Sequence, residues 1–223
     1  MNPLNQGDSA PPGTAQGLDR LALGRPWLVA LFGVLVPLYG FASLAEDVWT
    51  KESLNWDAPL LYSLHRLATP ALDRLAVFVT FFGSGGLMAL LGAALAIFLA
   101  SRKQPSRALF VAVAVVGAGA IDLLAKVIFS RARPQLWVSS IQEVGYSFPS
   151  GHAMGSMAMV AALVVLAHRT RWRWWTLVVG ALFVALIGAT RVYLGVHYPS
   201  DVLAGWGAAI AWVSGVHLVI RRT

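Results

Sequence analysis

Three short polar clusters, set in otherwise apolar sequence, carry residue types that could handle a phosphoryl group. In the third cluster, Arg191 is followed by His197 and Asp201. A spacing of four residues would place the Asp201 carboxylate within one helical turn of the imidazole, and Pro199 is compatible with a helix start. A carboxylate bonded to one ring nitrogen raises the basicity of the other, as a histidine nucleophile requires. The alternative is that both residues only begin a membrane span.

The second cluster, Pro149 to His152, has the pattern of a helix start. Ser150 is a good N-cap residue, and Gly151 lets the backbone approach a ligand closely. The free N–H groups of a first helical turn bind anions. His152, just inside that turn, could donate a proton to a leaving oxygen. The alternative is an ordinary capped helix with a histidine at the membrane interface.

The first cluster supplies positive charge from Lys126, Arg133 and Arg131, and Arg191 is a fourth cation. Phosphoryl transfer spreads negative charge over three oxygens, which cationic side chains stabilise, and the planar guanidinium suits phosphate. Alternatively, these side chains only mark the membrane boundary. Asp122, one helical turn before Lys126, is expected to pair with it, either to hold the lysine toward a site or as a structural pair.

The composition predicts a membrane protein that crosses the bilayer several times. Of the 223 residues, 57% are hydrophobic and 12% are charged, whereas soluble domains carry roughly a quarter charged residues. The apolar runs are continuous rather than alternating, which favours helices over a barrel. The absence of cysteine excludes disulfides and thiolate metal sites. The net charge of +7 does not indicate a nucleic-acid partner, because the basic residues are scattered in short loops.

We therefore predict an all-α membrane protein with six transmembrane helices and an external interfacial helix. The spans are expected at 26–45, 75–100, 108–128, 151–167, 176–190 and 201–220, in one domain covering 26–223. Residues 1–25 are predicted to form a disordered cytoplasmic tail. The first apolar run could be a signal peptide, but it exceeds the usual ~7–15 apolar residues. An apolar stripe at helical spacing in 46–74 predicts the interfacial helix, and glycines in 83–86 predict a kink or a close helix contact.

The distribution of basic residues predicts which way the chain crosses the bilayer. Six spans put both termini and the loops 101–107 and 168–173 on one side. Ten of the 17 Lys and Arg residues then lie on that side: Arg20, Arg25, Arg102, Lys103, Arg107, Arg169, Arg171, Arg173, Arg221 and Arg222. Since cytoplasmic loops carry the excess of basic residues, the termini are expected to be cytoplasmic. All three polar clusters then lie at the external face, which is the periplasm if the organism is a bacterium.

The three clusters also resemble the motifs of a known family. K-x6-R-P, P-S-G-H and R-x5-H-x3-D, in this order between residues 126 and 201, resemble the phosphatidic acid phosphatase type 2 superfamily. That superfamily includes lipid phosphatases, undecaprenyl pyrophosphate phosphatases and vanadium haloperoxidases. The third motif usually opens with Ser, where this chain has Thr190, which conserves the hydroxyl group.

The resemblance implies an integral membrane phosphatase that acts on a lipid phosphate or pyrophosphate. His197 would attack phosphorus and form a phosphohistidine, with Asp201 orienting it. His152 would protonate the leaving group and then activate water. The residues implied to hold the phosphate are Lys126, Arg133, Ser150, Gly151 and Arg191. No cofactor and no catalytic metal are implied.

Two other activities remain open from the sequence. A phosphotransferase would pass the phosphoryl group from His197 to a lipid or sugar acceptor, and a transporter would use Asp122 and Lys126 as pathway charges. The sequence does not distinguish between four substrates: phosphatidic acid, phosphatidylglycerol phosphate, undecaprenyl pyrophosphate and lipid A. Loops 46–74 and 135–148 are expected to determine which of them binds. The oligomeric state is also open. Three further histidines are interpreted as non-catalytic: His65, His168 and His217.

Overall fold

The computed structural model describes residues 26–52, 54–137 and 139–220, so the predicted tail 1–25 lies outside the described residues. This part of the chain is helical and contains no strand. Its helices are α1 (Pro26–Trp49), α2 (Asp57–His65), α3 (Pro70–Phe81), α4 (Gly85–Ser101), α5 (Pro105–Phe129), α6 (Gly151–Ala167), α7 (Arg173–Tyr193) and α8 (Pro199–Ile220). Within α1, Val29–Leu35 is π-helical.

Five segments within the described ranges are long and apolar enough to cross a membrane. They are α1, Pro70–Ser101 (α3 with α4), α5, α7 and α8. The shorter apolar helix α6 has the bounds expected for the fourth span, Gly151–Ala167. Its 17 residues reach about 26 Å at ~1.5 Å per residue, slightly less than a hydrocarbon core of ~30 Å. The all-helical membrane architecture is confirmed, and the count of six spans stays a prediction.

The predicted second span, 75–100, differs from the structure because it is divided into α3 and α4. The Ser84 side chain accepts a hydrogen bond from the Leu87 N–H and caps the start of α4. A Cβ on Gly83 would lie 2.5 Å from the side chain of Ile187 in α7. The glycine-rich stretch therefore marks both a break in the helix and a close helix contact, as its composition predicted.

The predicted interfacial helix in 46–74 is a short helix, α2, followed by a break. Thr69 ends the connection by accepting a hydrogen bond from the Leu72 N–H at 3.2 Å, and Pro70 opens α3. A capping threonine and a proline at the first helical position both begin a new helix. Asp57 of α2 is buried, which ties this helix to the bundle. Its interfacial position stays a prediction.

The helix α8 runs through the middle of the bundle and packs against α1, α5 and α6. Small residues form much of the shared core, among them Ala114, Ala118, Ala158, Ala162 and Ala209. They let helix backbones approach closely, as in other membrane bundles. The outer surface instead exposes large apolar side chains, including Phe32, Tyr39, Ile97, Val116, Val127 and Leu182. An apolar exterior of this extent fits a lipid environment.

Candidate active site

The second and third polar clusters meet where α6 and α8 begin. The Ser150 N–H donates a hydrogen bond to the backbone oxygen of Asp201 at 3.0 Å. A Cβ on Gly205, one turn after Asp201 in α8, would lie 2.9 Å from the Ser150 backbone oxygen. The two helix starts are therefore in direct backbone contact, which places His152 and His197 at the same end of the bundle.

His197 lies in the turn between α7 and α8 and is buried. Its Nδ1 is 2.8 Å from the backbone oxygen of Ser147 and 3.5 Å from Asp201 Oδ2. Both partners are acceptors, so Nδ1 carries the proton. Arg133 Nη1, which can only donate, lies 3.1 Å from Nε2. The lone pair of His197 is therefore on Nε2, the tautomer that a nucleophile requires, and the Ser147 carbonyl is a closer partner than the expected Asp201.

The pKa of the His197 imidazole is lowered to about 4. Burial is the main cause, and the nearby positive charges of Arg191 and Arg133 add to it, whereas Asp201 acts in the opposite direction. The ring is thus neutral over the physiological pH range, and its Nε2 lone pair accepts from Arg133.

Asp201 is buried and held by a second ion pair that the sequence did not indicate. Its Oδ1 lies 2.5 Å from Arg131 Nη1, and its Oδ2 accepts the Tyr198 N–H at 2.9 Å. Arg131 Nη2 lies 2.8 Å from Asp57 Oδ2, and Asp57 also accepts the Ser200 N–H at 3.0 Å. Arg131 therefore bridges the carboxylates of Asp57 and Asp201. The sequence had grouped it with the cations expected to bind phosphate.

The other cations surround the Nε2 side of His197. Arg133 also donates to the backbone oxygens of Val196 at 2.9 Å and Gly145 at 3.1 Å. Arg191 is fully buried, and its Nη1 donates to Thr80 Oγ1 at 2.9 Å. These contacts fix both guanidinium groups before any substrate is present.

Glu143 is a further site residue, which none of the three sequence clusters contains. Its Oε1 pairs with Arg191 Nη2, and its Oε2 lies 3.1 Å from Arg133 Nη1 and 3.9 Å from His197 Nε2. Burial would raise the pKa of this carboxyl, but the charge and hydrogen bond of Arg191 outweigh it and lower the pKa to about 2. The sequence offered no signal, because Glu143 lies in an irregular loop and belongs to no motif.

Lys126 forms the expected ion pair with Asp122, with 2.5 Å between Nζ and Oδ1. It also donates to the backbone oxygen of Pro149 at 2.9 Å. A Cβ on Gly151 would lie 2.8 Å from Asp122 Oδ2. Gly151 was expected to admit a ligand, but in this structure its missing side chain makes room for the Asp122 carboxylate.

The polar residues open onto one cavity of about 550 Å³ between α4, α5 and α6. Its polar end is lined by Lys126, Arg133, Glu143, His152 and His197, and its walls are apolar, with Met88, Ala89, Val115, Val116 and Leu123. Ser150 and Arg191, which the sequence also implicates, do not line this cavity. Their buried Ser150 Oγ and Arg191 Nε atoms have no hydrogen-bond partner among the described residues.

Other sequence-identified residues lie away from this cavity or have local partners. Ser150 occupies the N-cap position of α6, but its side chain forms no capping hydrogen bond. Thr190 Oγ1 donates to the backbone oxygen of Ile187 at 2.6 Å. His65 stacks on Trp137 with ring centroids 3.9 Å apart, and His168 Nδ1 lies 2.7 Å from the backbone oxygen of Val165. None of His65, His168 and His217 lines the cavity.

The fold and this constellation define a class of membrane protein, and sequence comparison identifies it. The model of the PAP2 superfamily matches residues 107–223, so the chain belongs to that superfamily, a family of phosphatases with membrane-embedded members. Among curated relatives, it is 25% identical to an undecaprenyl-diphosphatase of Sulfolobus acidocaldarius over 202 residues, which cover 88% of this chain and 91% of the relative. It is 32% identical to phosphatidylglycerophosphatase B of Bacillus subtilis over 100 residues, or 41% of this chain and 49% of the relative.

A solved structure confirms the fold. The crystal structure of a transmembrane PAP2 type phosphatidylglycerolphosphate phosphatase from Bacillus subtilis superimposes with a TM-score of 0.72 at 21% identity. The match covers 90% of this chain and 98% of that chain. At this identity the likeness concerns the fold alone. The resemblance inferred from the three motifs is thus confirmed at the level of the family.

Proposed function

We propose that this chain is a membrane phosphatase that hydrolyses a lipid phosphate or lipid diphosphate through a phosphohistidine on His197. The observation that carries the proposal is the state of the His197 ring. Its Nδ1–H is held by the Ser147 carbonyl, and its Nε2 faces Arg133 at 3.1 Å at the polar end of the cavity. A neutral imidazole in this tautomer, next to fixed cations, suits attack on phosphorus.

In the first step, the Nε2 lone pair forms a bond to phosphorus as the bond to the leaving oxygen breaks. The ring then becomes cationic, and Asp201 with the Ser147 carbonyl stabilises its Nδ1–H. His152, which lines the same cavity, donates a proton to the leaving lipid alcohol or lipid phosphate.

In the second step, His152 is neutral and accepts a proton from a water molecule. That water attacks the phosphohistidine, the nitrogen–phosphorus bond breaks, and inorganic phosphate leaves. The same imidazole therefore serves as acid and then as base, and His197 returns to its neutral form with Nε2 free.

The phosphate would be held by Lys126, Arg133, Arg191 and the start of α6. Each planar guanidinium group can donate hydrogen bonds to two phosphate oxygens. The first-turn N–H groups at Gly151 and the unpartnered Ser150 hydroxyl add neutral donors. These groups supply the positive charge that divalent ions supply in many phosphoryl-transfer enzymes, so we propose that the reaction is metal-independent.

The walls of the cavity favour a lipid substrate. Beyond the polar end, the cavity is bounded by α4 and α5 and lined by small and aliphatic residues. Several of these, such as Val116 and Leu123, are also exposed on the outer apolar surface. An acyl or prenyl chain could therefore lie in the groove while its terminal phosphate reaches the cations.

The external position of the site is part of the proposal. Arg102, Lys103 and Arg107 lie around the connection between α4 and α5, and Arg169 and Arg171 lie between α6 and α7. These connections are at the helix ends opposite to the site. Because cytoplasmic loops concentrate basic residues, the site would face the outside and both termini the cytoplasm.

A substrate panel with detergent-purified protein tests the proposal. Undecaprenyl diphosphate, phosphatidylglycerol phosphate, phosphatidic acid and lipid A would be scored by released phosphate, with and without a chelator. We expect release from at least one substrate, undiminished by the chelator and lost in His152→Ala. His65→Ala is the matched control, since this histidine is outside the cavity. Release that stops with chelator alone would contradict metal independence, and no release from any substrate would contradict the function.

A further inference from the structure

We propose that Glu143 is an intramolecular competitor for phosphate: in the empty enzyme its carboxylate occupies the position of the transferring phosphoryl group, and substrate must displace it. This inference rests on the proposed function, because it concerns the same anion site. It assigns Glu143 a role that the three sequence motifs do not contain.

The contacts of the carboxylate are those that a bound phosphate would need. One oxygen pairs with Arg191 Nη2, and the other lies 3.1 Å from Arg133 Nη1 and 3.9 Å from His197 Nε2. A phosphorus atom poised for attack must lie about 3–3.5 Å from that nitrogen. Its oxygens would then need the same two guanidinium groups, so carboxylate and phosphate cannot both be bound there.

The empty site has a physical reason to hold an internal anion. Arg191 is fully buried, and among the described residues it has one neutral side-chain partner, Thr80, apart from Glu143. An unpaired buried guanidinium would be strongly destabilising. The carboxylate neutralises this charge before substrate arrives, and an incoming phosphate takes over the same function.

The structure leaves space for the displaced side chain. A second pocket of about 620 Å³ lies on the other side of Arg133 and Glu143, lined by Gln135, Ser139 and Gln142 among others. The next residue, Val144, is 99% exposed. The following one, Gly145, has φ +87°, in the region that favours glycine. Glu143 can therefore leave the cations for this second pocket, whose lining mixes these polar side chains with apolar ones, without disturbing a packed element.

Two consequences follow for the reaction. Every phosphate, whether substrate or product, binds more weakly than it would to the bare cations, because the Glu143 ion pairs must first be broken. After hydrolysis, the returning carboxylate promotes release of inorganic phosphate. A residue that instead positioned the arginines for substrate would have the opposite effect on phosphate affinity.

Phosphate affinity, measured without turnover, separates these two roles. Inorganic phosphate and vanadate would be titrated into detergent-purified protein and followed by calorimetry and by the shift in thermal unfolding. In Glu143→Gln we expect both anions to bind at least tenfold more tightly than in wild type. Glu46→Gln, which removes an exposed charge from α1, should leave both affinities unchanged. Unchanged or weaker binding in Glu143→Gln would overturn the proposal.

A measurement on the wild-type protein covers the case in which the variant does not fold. Hydrogen exchange of the amides in 141–147 would be followed with and without saturating phosphate. Displacement of Glu143 predicts faster exchange in this segment when phosphate is bound, and slower exchange would overturn it. Neither readout requires catalysis, so the two proposals can fail separately. If Glu143→Gln binds phosphate more tightly but the wild-type protein releases no phosphate from lipids, the proposed function is refuted and the role of Glu143 as a competitor for phosphate stands.

Discussion

The backbone N–H of Ser150 donates to the backbone oxygen of Asp201 at 3.0 Å, across about 50 residues of sequence. This single bond fixes the start of α6 against the start of α8. His152 lies two residues after one partner, and His197 lies four residues before the other. The approach of the two histidines thus depends on the backbone packing of two helices, and less on the choice of side-chain rotamers.

This packing makes Gly205 sensitive to substitution. In Gly205→Ala the added Cβ would lie 2.9 Å from the Ser150 oxygen and 3.2 Å from the Met154 nitrogen, both backbone atoms. The helices must separate, so we expect a loss of about 1–3 kcal/mol in stability and a fall in activity. Thermal unfolding in detergent measures the first. Gly215→Ala, in the same helix with open space around it, is the control and should unfold like wild type.

Arg131 is expected to act as a positioning residue through Asp201. Arg131→Met removes the bonds to Asp201 and Asp57, and a misplaced His197 should lower kcat by about 100-fold with little change in KM. Arg131→Lys should recover part of kcat. An equal loss in both variants, together with a raised KM, would instead indicate direct contact with the substrate.

Asp122 is predicted to hold Lys126 toward the cavity. In Asp122→Asn the 2.5 Å ion pair is lost, while the bond from Lys126 to the Pro149 oxygen remains possible. A less constrained lysine should weaken phosphate binding, raising KM by roughly tenfold, the effect of about 1.4 kcal/mol. If the pair is only structural, the unfolding midpoint should fall and KM should remain as in wild type.

The lowered pKa of His197 predicts a pH dependence of stability. Between pH 6.5 and about 4, the unfolded chain binds a proton at this residue that the folded chain does not. Stability should therefore fall as the pH drops through this range, by up to about 3 kcal/mol from this group. In His197→Asn this contribution is absent, so its unfolding midpoint should fall less between pH 7 and pH 4. Equal decreases in the two proteins would contradict the prediction.

The sequence predicted the helical bundle, and its motifs contain most of the polar residues that the structure brings together at the candidate site, because apolar runs and motif spacing report directly on spans and helix starts. The bounds of α6 and the pair of Asp122 with Lys126 followed from local rules. Local rules did not indicate the roles of Glu143, Asp57 or the Ser147 carbonyl. Their positions depend on the irregular segment 130–150 and on contacts over long sequence separations, which no periodicity encodes.

Helix capping explains where the predicted helix boundaries differ from those in the structure. The apolar stripe in 46–74 predicts an interfacial helix, but the helix there ends at His65, and Thr69 and Pro70 form a cap that begins α3. Similarly, Ser84 caps α4 and interrupts the predicted second span. In both cases a capping side chain determined the boundary, whereas hydrophobicity alone indicated continuity.

The role of His197 as the nucleophile is tested most directly by the rate of phosphate release from a lipid phosphate or diphosphate by purified His197→Ala, compared with wild type at the same folded concentration. We expect a loss of at least about 1,000-fold, since the nucleophile is gone. Release within about tenfold of wild type, from a correctly folded variant, would show that His197 is not the nucleophile.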